Sequence, residues 1–320
     1  MSKTMRAFAA SELGPIENAK VVDLPIPEPG PGEARVRIVS AALNPADAKT
    51  IQGKTGMLHA KGFPLVMGYD FSGVVDAIGD GVDLSVGAEV FGMLAYGRRT
   101  RFGSLAEYTI APATWLAEKP AAFDHDTAAA VATVGLTALQ GLRGYGRMKE
   151  GLRVLVTGAT GGVGALVIGV ARSLGGQVDA ITSTDGMDLA RSLGAEQVAD
   201  RKDPAFLDRL KGPYAIVYDA AAAYSMRAFR RVLSPGGTYI TTLPKFPLLG
   251  DFLASPFLRR RVRMMMVKPS REDLSTLARF IATGMKVPIA SRAPLEKVAE
   301  ALAAYDKHGA RGKVVIQIGT

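Results

Sequence analysis

The sequence predicts an α/β protein: a doubly wound parallel sheet that follows a barrel-like domain of short strands. Three observations carry that expectation. Up to about residue 120, glycine and proline punctuate short β-type runs. From about residue 121, continuous apolar runs alternate with helical patterns, the rhythm of strands crossed over by helices. A glycine cluster, Gly158 to Gly164, stands where the first of those strands meets the first of those helices. At about 150 residues per domain, 320 residues make two domains.

The elements follow in order. Pro25, Pro27, Pro29 and Pro31 alternate along LPIPEPGPGE, an extended connector. In ARVRIVSAALN, Arg35 and Arg37 alternate with Val36 and Ile38, the period of a half-buried strand. YDFSGVVDAIG and GAEVFGML read as further strands bounded by glycine. In the second part, 153–158, 177–183, 197–200, 215–220, 238–243 and 262–267 read as six strands. Helices are expected at 162–174, 187–194, 204–212 and 225–233 between them. Two helical patterns after 268 lead into a closing strand, KVVIQI, at 313–318.

Composition narrows the chemistry. There is no cysteine, which removes disulfides, thiol nucleophiles and thiolate-bound metals. The three histidines, His59, His125 and His308, have no metal-site spacing. No metal is therefore expected. Lys plus Arg is 39 against 30 Asp plus Glu, a charge of +9 that suits an anionic partner. The clusters Arg98-Arg99-Thr100-Arg101 and Arg259-Arg260-Arg261-Val262-Arg263 carry no interleaved aromatics, so they read chiefly as solvated faces. No apolar stretch reaches 18 residues and the N-terminus has no apolar signal core. A cytoplasmic protein with neither nucleic acid nor membrane as partner is expected.

The glycine turn is the strongest chemical signal. In VLVTGATGGVGALV, a buried strand ends at Thr157, and Gly158, Gly161, Gly162 and Gly164 lead into a helix. Glycine lets the chain turn tightly and lets a diphosphate approach the backbone, and the helix N-terminus favours negative charge. The spacing is not that of a nucleotide-hydrolysing P-loop. About 20 residues on, where ribose specificity is set, stand Ser183 and Asp185, with Arg201 after the third strand. Ser183 and Arg201 suit a 2′-phosphate; Asp185 suits a 2′-hydroxyl. NADP(H) is expected, with NAD(H) as the alternative.

The sequence resembles the zinc-independent branch of the medium-chain dehydrogenase/reductase superfamily, the quinone and enone oxidoreductases. The resemblance rests on GEARVRIVSAALNPADAK, GYDFSGVVDAIG, RFGSLAEYTIAP, AAAVATVGLTALQGL, TGATGGVGALVIGVARSLG, DLARSLGAEQVAD and ARGKVVIQI, taken in order. It implies a GroES-like β-barrel catalytic domain, 1–120 and 268–320, around an inserted Rossmann domain at 121–267. It implies a hydride-transferring enzyme for quinones or α,β-unsaturated carbonyls, with a non-catalytic cofactor-binding protein as the alternative. Zinc-dependent relatives carry His-Glu where this chain has Tyr69-Asp70.

Carried over by position, the resemblance implies a catalytic loop with Asn44, Asp47 and Lys49, and Tyr69 in the substrate pocket. Val163, with Gly158, Gly161, Gly162 and Gly164, matches the diphosphate turn. Thr137 and Leu243 belong to the cofactor set, Thr137 at the nicotinamide, and Lys313 is expected to reach the diphosphate. A homodimer through the sheet edge at 262–267 is also implied. Asn44 precedes Pro45 and reads equally as a turn initiator, Asp47 as a helix cap, and Lys49 as a surface lysine.

Overall fold

The structure is a computed structural model that describes residues 3–55, 62–97, 102–210, 212–242, 250 and 259–319. The chain divides into two compact units. The first comprises Met1–Thr133, Lys268–Ala278 and Ile289–Thr320; the second comprises Val134–Val267 and Arg279–Pro288.

In chain order the first unit contributes β1 (Thr4–Ala10), β2 (Ala19–Pro25), β3 (Glu33–Ala42), α1 (Pro45–Ile51), β4 (Leu65–Val66), β5 (Asp70–Ile78), β6 (Glu89–Met93), β7 (Tyr108–Pro112) and β8 (Leu116–Glu118). The helix α2 (His125–Gln140) then runs across the unit boundary at 133/134. The second unit holds β9 (Arg153–Thr157), α3 (Gly162–Ser173), β10 (Gln177–Thr182), α4 (Met187–Ser192), β11 (Gln197–Asp200), β12 (Tyr214–Asp219), β13 (Leu233–Thr241) and β14 (Arg261–Met264). After α5 (Arg271–Ala282), the elements β15 (Ile289–Pro294), α6 (Val298–His308) and β16 (Lys313–Gln317) return to the first unit.

The first unit has a three-stranded sheet, β2-β1-β4, and a larger sheet in the order β15-β16-β3-β5-β6-β8, with β7 also paired to β3. The alternation read in ARVRIVSAA is visible in β3: Ala34, Val36 and Ile38 are buried while Arg37 is exposed. A core that includes Phe8, Ile38, Phe71, Leu116 and Leu302 fills this unit. β16 pairs antiparallel with β3, Val315 opposite Ala42. The closing strand thus rejoins the first sheet after an excursion of well over a hundred residues.

The second unit's sheet has the order β11-β10-β9-β12-β13-β14, and every neighbouring pair is parallel. In terms of its own six strands the order is 3-2-1-4-5-6, that of a doubly wound dinucleotide-binding sheet. β9, buried on both faces, sits centrally, so its C-terminal end lies beside the point where the strand order reverses.

Two expected helices are corrected. Residues 204–210 form successive turns closed by short-range bonds such as Phe206 N–H to Asp203 O. A stretch this short, bounded by Pro204 and Gly212-Pro213, cannot offset the cost of helix nucleation. The segment 225–233 yields only a single 3-10 turn, Met226–Phe229. Leu233 is drawn into β13 opposite Tyr214, and the Ser234-Pro235-Gly236-Gly237 run cannot extend a helix. The expected strand at 262–267 is shorter, Arg261–Met264.

Candidate active site

In the first unit the loop after β3 turns at Asn44, the N-cap of α1, with backbone angles of −130° and 153°. Pro45 follows at the first helical position, where its missing N–H costs nothing. Asp47, three residues after the cap, accepts a hydrogen bond from the Asn44 backbone N–H at 2.7 Å. Capping therefore sets Asp47 where the sequence placed it.

Asn44 does more than cap. Its Nδ2 donates to Asp70 Oδ2 at 2.9 Å and to Ala42 O at 3.4 Å, while its Oδ1 accepts from Lys313 Nζ at 2.7 Å. Lys313 also donates to Leu43 O at 2.7 Å and to Asp70 Oδ2 at 2.9 Å. Asp70 Oδ1 accepts from both the backbone N–H and the hydroxyl of Thr133. Asp70 and Lys313 have no exposed side-chain surface at all. The expectation that Lys313 reaches a diphosphate is corrected: its three ammonium protons are committed inside the core.

Two carboxylates here share one ammonium. Asp70 holds the ion pair. Asp47 is left with Oδ1 buried and without a partner at hydrogen-bond geometry. Burial pushes the Asp47 carboxyl up to about 7; the Asn44 N–H opposes the shift, the charge of Asp70 adds to it, and Lys313 and the nearby Gly68 N–H oppose it. Tyr69 packs against Tyr96 with ring centroids 4.4 Å apart, and its hydroxyl lies 3.3 Å from Thr50 Oγ1. Burial, helped by the Asp47 charge, pushes the Tyr69 phenol up to about 12. Burial likewise raises Tyr96, whose ring is partly exposed but whose hydroxyl end meets the Asp70 and Asp47 charges and the Thr133 hydroxyl. Lys49, half-buried on the last turn of α1, makes no side-chain hydrogen bond or ion pair among the described residues.

In the second unit β9 ends at Thr157 and Gly158 takes a positive φ of 62°. A Cβ on Gly164 would lie 2.2 Å from Gly158 O, so glycine is required for α3 to pack on the turn. A Cβ on Gly161 would meet nothing nearer than that same oxygen at 3.5 Å. Gly161 is the N-cap of α3 and no side chain caps the helix. The first-turn N–H groups, those of Gly162, Val163 and Gly164, are therefore presented with the positive end of a 12-residue helix behind them.

The turn is braced from both sides. Thr160 and Thr182 hydroxyls meet at 2.7 Å. Asp219, at the end of β12, accepts from the Thr157 hydroxyl at 2.5 Å, the Tyr239 hydroxyl at 2.7 Å, and the backbone N–H of Ala223 and Tyr224. Ser183 stands at the N-cap position of the short turn after β10 with no side-chain capping bond, and the Arg201 N–H bonds to Thr182 O at 2.8 Å, so both flank the C-terminal edge of β10 and β11. Asp200 lies between them in the sheet, holding the Thr184 hydroxyl. Thr137, on α2, is buried and its carbonyl accepts from Tyr218. Leu243 and Arg98–Arg101 lie outside the described residues.

Sequence reasoning did not nominate Asp70, Thr133 or Asp219. Asp219 had a legible signal, an acidic residue closing the apolar run AIVYD. Thr133 had none, because its partner is 63 residues away.

Known proteins share this architecture. Residues 30–121 match the family model "Alcohol dehydrogenase GroES-like domain", and residues 193–316 match "Zinc-binding dehydrogenase". An Arabidopsis thaliana protein named NADPH-dependent alkenal/one oxidoreductase, chloroplastic, is 32% identical over 324 residues, covering 98% of this chain and 80% of that protein. The chain belongs to the medium-chain dehydrogenase/reductase superfamily, in its quinone and enone oxidoreductase branch. The 2-methylene-furan-3-one reductase of Solanum lycopersicum is also 32% identical, over 98% of this chain and 79% of the other. The solved quinone oxidoreductase of Coxiella burnetii superposes with a TM-score of 0.87 at 27% identity, covering 98% and 99% of the two chains.

The zinc in one family description does not suit these residues. There is no cysteine, and among the described residues no group of three His, Cys, Asp or Glu could hold a metal. Asp70 is saturated by Lys313, Asn44 and Thr133, so a divalent cation there would face a buried ammonium at close range. A dinucleotide does suit the second unit, since the uncapped α3 N-terminus and the open face of Gly161 offer donors and room to a diphosphate.

Proposed function

We propose that the chain is an NADP(H)-dependent reductase that delivers hydride to a quinone or an α,β-unsaturated carbonyl. The observation that carries this reading is the uncapped glycine N-terminus of α3, beside the switch point of a 3-2-1-4-5-6 parallel sheet. The names of the alkenal/one, furanone and quinone relatives supply the substrate class. When bound, the nicotinamide supplies a hydride to the β-carbon of an enone, and water supplies the proton to the α-carbon.

The chain's own residues bind, orient and polarise. The N–H groups of Gly162, Val163 and Gly164 take the diphosphate, with Gly158 shaping the turn. Ser183 and Arg201 take the 2′-phosphate, and Thr137 lines the nicotinamide. Lys49 is the cation that stabilises the developing oxyanion. Asn44 holds the loop with both amide protons already engaged, which leaves it a positioning role. Tyr69 lines the substrate side of that loop; Asp47, fully buried, caps α1 and fixes the loop instead of touching substrate.

The test is oxidation of NADPH and NADH by the purified chain against a panel of quinones, alkenals and enones. Turnover with NADPH and at least one acceptor is expected. Tight NADPH binding without turnover on any acceptor would make it a non-catalytic cofactor-binding protein. No nicotinamide binding at millimolar concentration would overturn the reading.

A further inference from the structure

The helix α2 does not end as an ordinary α-helix. Beyond Gln140 the backbone widens into a π-turn, Gly141–Tyr145. It is closed by the Gly146 N–H on Gly141 O at 2.8 Å, and the Met148 N–H follows on Leu142 O at 2.9 Å. A π-turn inserts a residue into the helical repeat, and such insertions are frequent at functional sites.

The cause lies on the neighbouring strand. Ile216 and Tyr218 fall on one face of β12 by the alternation of a strand, and both press on the turn. A Cβ on Gly146 would lie 2.8 Å from Ile216 Cδ1. One on Gly141 would lie 2.5 Å from the Tyr218 hydroxyl oxygen and 2.6 Å from its ring. Glycine at both places lets β12 approach the helix backbone this closely. The Tyr218 hydroxyl donates to Thr137 O at 2.8 Å. The phenol is fully buried, and burial raises it, so it stays a neutral donor.

Tyr218 pairs with Val156 of β9 and Ile240 of β13, one residue before β12 ends. It therefore stands at the C-terminal edge of the sheet, beside the switch point where a dinucleotide lies, and its hydrogen bond holds Thr137 there. The next residue, Asp219, points to the other face and braces the glycine turn through Thr157. The last two residues of β12 thus hold two sides of one crevice, and all of these groups belong to the second unit.

We propose that Tyr218 is a positioning residue for hydride transfer: through the Thr137 carbonyl and the π-turn, its hydroxyl fixes the wall against which the nicotinamide ring rests. The inference rests on the proposed cofactor and on Thr137 at its nicotinamide. Tyr218 has no exposed surface, so it acts through Thr137 and the turn and not by contact. Affinity and reactive geometry then separate. The diphosphate and 2′-phosphate are held elsewhere, at the turn after β9 and the edge of β10 and β11. A reactant displaced by about 1 Å, in contrast, loses about a hundredfold in rate.

The experiment compares Tyr218→Phe with Tyr214→Phe. Tyr214 lies at the other end of β12, is equally buried, and donates to Asp179 Oδ2 at 2.6 Å. Each variant is read by melting temperature, by NADPH dissociation constant and bound-nicotinamide emission, and by kcat with NADPH and with NADPH dideuterated at C4. Both should melt below the parent. Tyr218→Phe alone should lower kcat about tenfold, with NADPH Kd within about twofold of the parent's. Its isotope effect should equal or exceed the parent's, and its bound-nicotinamide emission should change. Gly141→Ala, whose methyl displaces the phenol from the helix side, should show the same split and decides the matter if Tyr218→Phe does not fold. A parental kcat in Tyr218→Phe overturns the proposal, as does equal loss of kcat in both Phe variants or a loss confined to Kd. NADPH binding without turnover by the parent fails the proposed reaction alone; the emission then decides, and an unchanged one overturns the role of Tyr218. No NADPH binding by the parent overturns both.

Discussion

Lys313 Nζ lies 2.9 Å from Asp70 Oδ2, and neither side chain has any exposed surface. The pair joins β16, at the end of the chain, to β5, 243 residues earlier. Burying such a pair gains little over an apolar core, but removing one partner strands the other charge. Lys313→Met and Asp70→Leu should each destabilise the fold by about 3–5 kcal/mol. The double variant should cost less than the sum of the two. Urea denaturation measures all three, and strict additivity would sink the ion-pair account.

The same cluster predicts a pH dependence. Asp47 is neutral in the fold until about pH 7, whereas in the unfolded chain it ionises near its ordinary value of 3.8. Between those values the folded state holds a proton that the unfolded state has released. Stability therefore falls as pH rises from about 4 to about 7, and this contribution is level above that. Asp47→Asn keeps the shape and removes the titration. The difference in unfolding free energy between the Asp47→Asn variant and the parent should drift in the variant's favour across that window. A constant difference from about pH 4 to about pH 8 would refute the assignment.

The glycines of the turn separate stability from binding. Gly164→Ala places a methyl 2.2 Å from Gly158 O, so the fold should lose about 1–3 kcal/mol and cofactor affinity with it. Gly161→Ala meets no such contact. It should leave the melting temperature within a few degrees while weakening NADPH by about tenfold or more, about 1.4 kcal/mol. Thermal unfolding and fluorescence titration on the two variants decide it. A Gly161→Ala protein with parental affinity would show that the diphosphate does not approach there.

What could be read in advance follows range of interaction. The parallel strands were legible because each is a continuous apolar run closed by a polar or glycine residue, as VLVTG is. The segments 204–212 and 225–233 misled because their helical spacing is local, while Leu233 is claimed by pairing with Tyr214 in the sheet. β15 went unread because most of its residues are exposed and show no alternation. Within the site, the Asn44–Asp47 cap is a short-range motif and was visible as such. The Asp70–Thr133 and Asp70–Lys313 bonds span 63 and 243 residues. Nothing local to Lys313 distinguishes a lysine reaching a phosphate from one buried on a carboxylate.

Cofactor preference turns on the edge of β10 and β11. In the proposed function Ser183 and Arg201 take the 2′-phosphate, while Asp185 is exposed on the turn directly after Ser183 and Asp200 is held by the Thr184 hydroxyl at 2.5 Å. Opposing charges this close partly cancel, so the site discriminates less than one with arginine alone. Arg201→Ala should raise the KM for NADPH about tenfold and leave that for NADH nearly unchanged, since only NADPH carries the extra phosphate. Asp185→Ala should act in the opposite sense, raising kcat/KM for NADPH several-fold relative to NADH. Initial rates with both cofactors and one saturating acceptor test the pair of substitutions together. If Arg201→Ala slows both cofactors equally, Arg201 shapes the turn instead of reading the ribose, and the preference for NADPH must rest on Ser183 alone.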